Sequence, residues 1–299
     1  MTGALQAVQD RLACPIGEVD LMVGTSAGSV LAAALRCGAT IDEMVAYQRG
    51  EPVGALAGVA EVTSGPWPRP PKLRFGSPRL MASAIKAPHR VHPTVGASAL
   101  LPVGRESHSG LYAMVNLLHT QAARPDGKQS HWVECGQTWV VAVDYDSGRR
   151  VVFGRDGEPE ARLADAVVAS CSVPGWYSPV VIDGRRYVDG GVRSATSLGL
   201  VAGEGIDEVC VLAPMASLVA DRRYAPHLRL ERRVRSFFTY ALLRDVRALR
   251  ATGIKVTVLT PGPEDLAVMG INLMDPRRRL AVLETSLRTS ASFSSPRAA

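Results

Sequence analysis

The sequence predicts an α/β protein. Three observations carry the prediction: short apolar runs rich in β-branched residues, intervening stretches with apolar residues three and four apart, and one place where a strand runs through a glycine turn straight into a helix. The chain has 299 residues, enough to bury a full core. One domain is expected over residues 1–289, with a variable insertion at 51–130.

Residues 2–13, TGALQAVQDRLA, place Leu5, Val8 and Leu12 on one helical face. Val19 to Val23 is the apolar run of a buried parallel strand, and Ser29 to Arg36 reads as a helix stopped at Cys37-Gly38. From 51 to 130 the segments SGPWPRPPKLRFGSPRL and KAPHRVHPTVGASAL bring proline, glycine and basic residues, so loops and short helices are expected. Thr138 to Asp144, the turn Asp146-Ser147-Gly148 and Arg150 to Phe153 read as a hairpin. Leu163 to Ser170 reads as a helix, and Pro179 to Val188 as a second hairpin turning at Asp183-Gly184. Glu208 to Leu212 and Ile254 to Leu259 are two more buried strands.

Between those strands, Arg232 to Arg250 carries a stripe of Val234, Phe237, Phe238, Ala241, Leu242, Val246 and Leu249 among arginines. The reading preferred is a stripe packed on the sheet with solvated arginines; the alternative is a helix lying on a membrane surface. The segment from Ser290, SASFSSPRAA, is expected to be a disordered tail.

Composition excludes several classes. Apolar residues make up 46 % of the chain, an ordinary globular share. The apolar runs fall well short of the roughly 20 residues that cross a bilayer, and no signal peptide opens the chain, so a cytoplasmic protein is expected. The five cysteines form no C-x-x-C pair and the six histidines no H-x-x-x-H or H-E-x-x-H arrangement, so no metal and no cofactor are expected. The net charge of +6 favours anionic partners, which charge alone does not separate into phospholipid and nucleic acid.

The glycine turn lies in LMVGTSAGSV, residues 21–30. A P-loop needs a lysine after its second glycine, and a dinucleotide fingerprint needs G-x-G-x-x-G with a later acid; Gly24, Gly28 and Ser29 satisfy neither. Gly24-Thr25-Ser26-Ala27-Gly28 fits G-x-S-x-G, the strand-to-helix elbow that lifts a serine hydroxyl out of a sheet onto the positive end of a helix. A serine needs a base. His227 is the only histidine in the last third and reads as a surface residue, while His89, His92, His108, His119 and His131 lie in or beside the insertion. Asp189, after a strand and before Gly190-Gly191, is the better candidate.

With G-T-S-A-G-S behind a strand and A-S-C-S-V-P-G-W-Y-S-P-V-V-I-D-G-R-R-Y-V-D-G-G at 169–191, the chain resembles the patatin-like phospholipases. The resemblance covers residues 1–50 and 138–215, and implies that residues 51–130 correspond to the lid and acyl-binding region. It implies a three-layer α/β/α sandwich with a mainly parallel central sheet, and a Ser-Asp dyad that hydrolyses acyl esters of lipids without histidine. Ser26 would be the nucleophile, Asp189 the base within D-G-G, and the Ala27 N–H an oxyanion donor. The partner implied is a lipid ester; no nucleic acid is expected. Peripheral contact with an anionic membrane would run through the basic loop from Arg69 to Arg90 or the Arg232 to Arg250 helix.

The family's further oxyanion donors come from a D-G-G-G-x-R-G-type loop between the first strand and first helix. M-T-G-A-L at the start resembles the far side of that loop, so loop and strand are expected upstream of Met1, unless the protein lacks them. Two other readings remain: a patatin-like pseudoenzyme that binds lipid or a protein partner, and a nucleotide-binding α/β protein, which the missing lysine disfavours. Trp176 either lines an acyl pocket or packs under the sheet, and Asp144 reads as structural.

Overall fold

A computed structural model describes residues 1–12, 14–59, 70–72, 74–122, 130–218, 228–270 and 272–294. Arg69 and His227 lie outside the described residues. In chain order the elements are α1 (Thr2–Gln9), β1 (Leu21–Thr25), α2 (Ala27–Arg36), α3 (Ile41–Arg49), α4 (Pro78–Lys86), α5 (Pro93–Ser98) and α6 (Ser109–Gln121). There follow β2 (Gln137–Asp144), β3 (Arg150–Phe153), α7 (Leu163–Ser170), β4 (Val180–Ile182), β5 (Arg185–Asp189), β6 (Glu208–Leu212), α8 (Leu228–Ala251), β7 (Lys255–Leu259), α9 (Pro263–Met269) and α10 (Arg279–Ser294). The chain divides into two compact units: residues 17–43 with 52–197, and residues 1–16 with 44–51 and 198–299.

The unit of residues 17–43 and 52–197 is built around β2. Its Val140, Val141 and Val143 are fully buried, each contributing about 1.5–3 kcal/mol of apolar burial. β1 pairs with β2 in parallel, while β3 and β5 pair with β2, and β4 with β5, antiparallel. The sheet is therefore mixed where a mainly parallel one was expected, because two tight turns return the chain directly beside itself. In the second turn Asp183 and Gly184 both have positive φ, 47° and 74°, as the favoured two-residue hairpin turn demands.

Register within this sheet positions the site. β1 ends with Thr25 opposite Val141, and β5 ends with Asp189 opposite the next residue, Ala142. β3 holds the other edge of β2 over Val140 to Val143, so β1 and β5 share one edge end to end, and their C-terminal ends meet. α7 and α2 pack beside this junction, and α6 lays Leu111, Met114, Val115 and Leu118 against them. β1 starts two residues later than the apolar run suggests, because residues 16–18 form a 3-10 turn. Arg36 fixes this entry: its guanidinium donates to the carbonyls of Gly17 and Val19, both at 2.6 Å, and of Gln137 at 3.0 Å.

In the other unit, β6 and β7 pair in parallel and α8 crosses between them. α1 packs on α10, and α9 on α10. The stripe on α8 divides. Leu242, Val246 and Leu249 are buried, whereas Val234 and Phe237 are exposed and Arg235 is buried, donating to the Pro214 carbonyl at 3.0 Å. α10 continues through Ser294, so the segment from Ser290 is helical at its start rather than disordered; Ser290 itself is buried. Residues 295–299 lie outside the described residues. Among the described residues no helix is long and apolar enough to cross a membrane.

Candidate active site

Ser26 stands between the last residue of β1 and the first of α2, with φ 53° and ψ −125°. Positive φ in a non-glycine residue is strained and persists only where surrounding structure enforces it. Enforcement comes from three directions. The Ser26 N–H donates to Ser170 Oγ at 2.9 Å, Ser29 N–H and Oγ both donate to the Ser26 carbonyl, at 2.8 and 2.7 Å, and Gly24 lets the turn fold tightly. A Cβ on Gly24 would collide with the Ser29 backbone. Gly28 differs: a Cβ there would meet nothing within 4 Å, so the helix start is open on that side. The exposed Ala27 and the half-buried Gly28 head α2, where the first backbone N–H groups have no intrahelical acceptor and carry the positive end of the helix dipole.

Asp189 ends β5 with 4 % of its surface exposed. Its Oδ1 accepts the Gly191 N–H at 2.6 Å, and its own N–H donates to the Ser172 carbonyl at 3.0 Å. Gly190 lies so close to β2 that a Cβ would sit 2.5 Å from the Val141 oxygen, and one on Gly191 would lie 2.9 Å from Asp189 Oδ1. The Ser26 side chain lies near enough to the Asp189 carboxyl to favour its charged form. Burial pushes the Asp189 carboxyl up to about 6, with the Ser26 hydroxyl and the Gly191 N–H opposing that rise. Ser26 and Asp189, 163 positions apart in the numbering, are thus brought together by adjacent residues of β2.

Several neighbours carry no sequence signal of their own. Ser170, fully buried at the end of α7, donates to the Val141 carbonyl at 2.7 Å and accepts the Ser26 N–H, so it closes the gap where β1 hands over to β5. Thr25 Oγ1 and Ser197 Oγ lie 2.9 Å apart behind the elbow. The Cys171 thiol is enclosed beside Ser26 and Ser29; burial and the Asp189 charge raise its pKa, which keeps it a thiol and not a rival nucleophile.

His108 stacks on Tyr177 with ring centroids 3.7 Å apart. Burial pushes its imidazole down to about 4, so it is neutral at pH 7, and its Nε2 is buried without a partner among the described residues. Trp176 has its backbone engaged, its carbonyl accepting the Glu106 N–H at 3.3 Å. Asp144 accepts the N–H groups of Asp146 and Ser147 at 2.9 and 3.1 Å, a structural turn contact.

A cavity of about 390 Å³ lies elsewhere in this unit, lined by residues including Arg36, His119, His131 and Arg162; neither Ser26 nor Asp189 lines it. No cluster of three or more metal-ligating side chains occurs among the described residues. Residues 137–201, a segment that holds β2, β3, α7, the β4–β5 hairpin and Asp189-Gly190-Gly191 but not Ser26, match the family model for patatin-like phospholipase.

Proposed function

We propose that the protein is a serine lipid acyl hydrolase that cleaves carboxylic esters of phospholipids or related lipids through Ser26 and Asp189. The patatin-like match supports the hydrolase class and the lipid substrate. The observation that carries the dyad is the strained Ser26 at the head of α2, set beside the buried Asp189 carboxyl by adjacent residues of β2. The three-layer sandwich implied by the resemblance, formed as a single domain, belongs to this reading.

In the proposed cycle, the Asp189 carboxylate takes the Ser26 Oγ proton as Oγ attacks the ester carbonyl carbon. The tetrahedral oxyanion is held by the Ala27 N–H and the positive end of α2. Collapse breaks the ester C–O bond, and the leaving alkoxide takes the proton from Asp189. Water then gives a proton to Asp189 and attacks the acyl-enzyme; collapse releases the fatty acid and returns the proton to Ser26. No metal enters this cycle.

A fluorophosphonate probe tests the assignment. Covalent labelling of the native protein that disappears in Ser26→Ala supports it. A folded protein that takes no label favours the lipid-binding or protein-interaction pseudoenzyme, and label retained in Ser26→Ala moves the nucleophile elsewhere.

A further inference from the structure

From Val62 to Arg105 the chain has no Asp or Glu and seven Lys or Arg, more than the whole net charge of +6. Six of these cations are described: Lys72, Arg74, Arg79, Lys86, Arg90 and Arg105, all exposed. Arg79 faces Asp146; the other five form no ion pair among the described residues.

Large apolar side chains are exposed within the same stretch. Two short segments pair through Lys72 N–H to Val103 O at 2.8 Å, Val103 N–H to Arg74 O at 2.9 Å and Gly76 N–H to Leu101 O at 2.9 Å. Their pairing gathers Phe75 (59 % exposed), Leu100 (56 %) and Leu101 (45 %) beside Lys72 and Arg74. Ile85, 80 % exposed, sits next to Lys86 at the end of α4.

This shoulder is anchored. Leu80, Val91, Val95 and Ala99 share a core with Val143, Tyr145 and Val188, and Tyr145 Oη donates to the Ser98 carbonyl at 2.8 Å. Arg186, paired with Asp146, donates to Gly76 O and Ser77 Oγ, both at 3.1 Å. The anchoring leads to the site: Thr94 Oγ1 donates to the Val192 carbonyl at 2.5 Å, three residues beyond Asp189.

We propose that this shoulder, Lys72, Arg74, Phe75, Leu100 and Leu101 with Ile85-Lys86, docks the protein on an anionic lipid surface. The cations attract the headgroups while the apolar side chains enter the interface. The proposal rests on the lipid hydrolase reading for its purpose and names where that enzyme meets its substrate. The exposed α8 face, with Phe237 and Tyr240, is the weaker rival, since its Arg244 is already paired with Asp245 at 2.9 Å.

The test is co-sedimentation of the full chain with phosphatidylcholine vesicles, with and without phosphatidylglycerol, alongside hydrolysis of a soluble short-chain ester. Binding should require phosphatidylglycerol and weaken with salt. It should fall on the order of 30-fold in Lys72→Gln/Arg74→Gln, fall also in Phe75→Ser/Leu101→Ser, and persist in Arg244→Gln/Arg247→Gln. All three variants should melt like the parent and keep soluble-ester activity. Indifference to phosphatidylglycerol, a loss confined to the α8 variant, or binding to duplex DNA with none to vesicles would overturn the proposal. Ester hydrolysis without vesicle binding removes the docking surface alone; vesicle binding by a protein that hydrolyses nothing removes the hydrolase reading alone.

Discussion

Replacing Asp189 by Asn should make the protein more stable at neutral pH while silencing it. Asparagine keeps the shape of the side chain and an acceptor for the Gly191 N–H, now 2.6 Å from Oδ1, but carries no charge. Burial raises the carboxyl from 3.8 to about 6, so ionising it in the folded protein costs about 3 kcal/mol more than in the unfolded chain. Because the folded pKa lies above the unfolded one, the protonated group's contribution is fully present below about 3.8 and is lost as pH rises through about 6. The advantage of Asp189→Asn should therefore be near zero at pH 4 and grow to a plateau of about 3 kcal/mol by pH 7. Urea unfolding of both proteins from pH 4 to pH 8 measures it. A difference that does not change with pH, or a variant less stable than the parent at pH 8, would refute the reasoning that a buried, destabilised carboxylate is held at the end of β5.

The strain at Ser26 should be recoverable: Ser26→Gly accepts φ 53° without a Cβ and should gain about 1 kcal/mol in unfolding free energy, measured by the same titration, while taking no fluorophosphonate label. Ser170→Ala leaves both the Ser26 N–H and the Val141 carbonyl without their partner; a loss of about 1–3 kcal/mol together with reduced ester turnover is expected, and unchanged turnover would show that Ser170 does not hold the elbow. Alkylation of the native protein with iodoacetamide at pH 8, read by peptide mapping, should modify the exposed Cys14 and Cys135 before the buried Cys37 and the enclosed Cys171 thiol, whose pKa values burial raises.

Which parts of this were legible in the sequence follows from how local each signal is. The elbow is read from ten consecutive residues, because strand, glycine turn and helix all leave their mark within LMVGTSAGSV. Asp189 is read from the hairpin that ends in D-G-G. Their meeting is another matter, since it depends on β1 and β5 sharing one edge of β2, a register that no local pattern encodes. Ser170 leaves no local mark for the same reason, its two partners lying 29 and 144 residues away. His108 carries no signal beyond being a histidine within an irregular insertion, and its stacking on Tyr177 is a tertiary contact. The divided stripe of α8 shows the opposite failure: helical periodicity marked Val234 and Phe237 as core, yet only the later turns, at Leu242, Val246 and Leu249, are covered.

The central claim is that Asp189 is the base for Ser26, and the most direct measurement is the pH dependence of kcat/KM for a soluble short-chain p-nitrophenyl ester. The account predicts activity that rises with pH through about 6, as the carboxylate forms, and is lost in both Ser26→Ala and Asp189→Asn. Hydrolysis that persists in either folded variant, or a profile with no limb near pH 6, would contradict it.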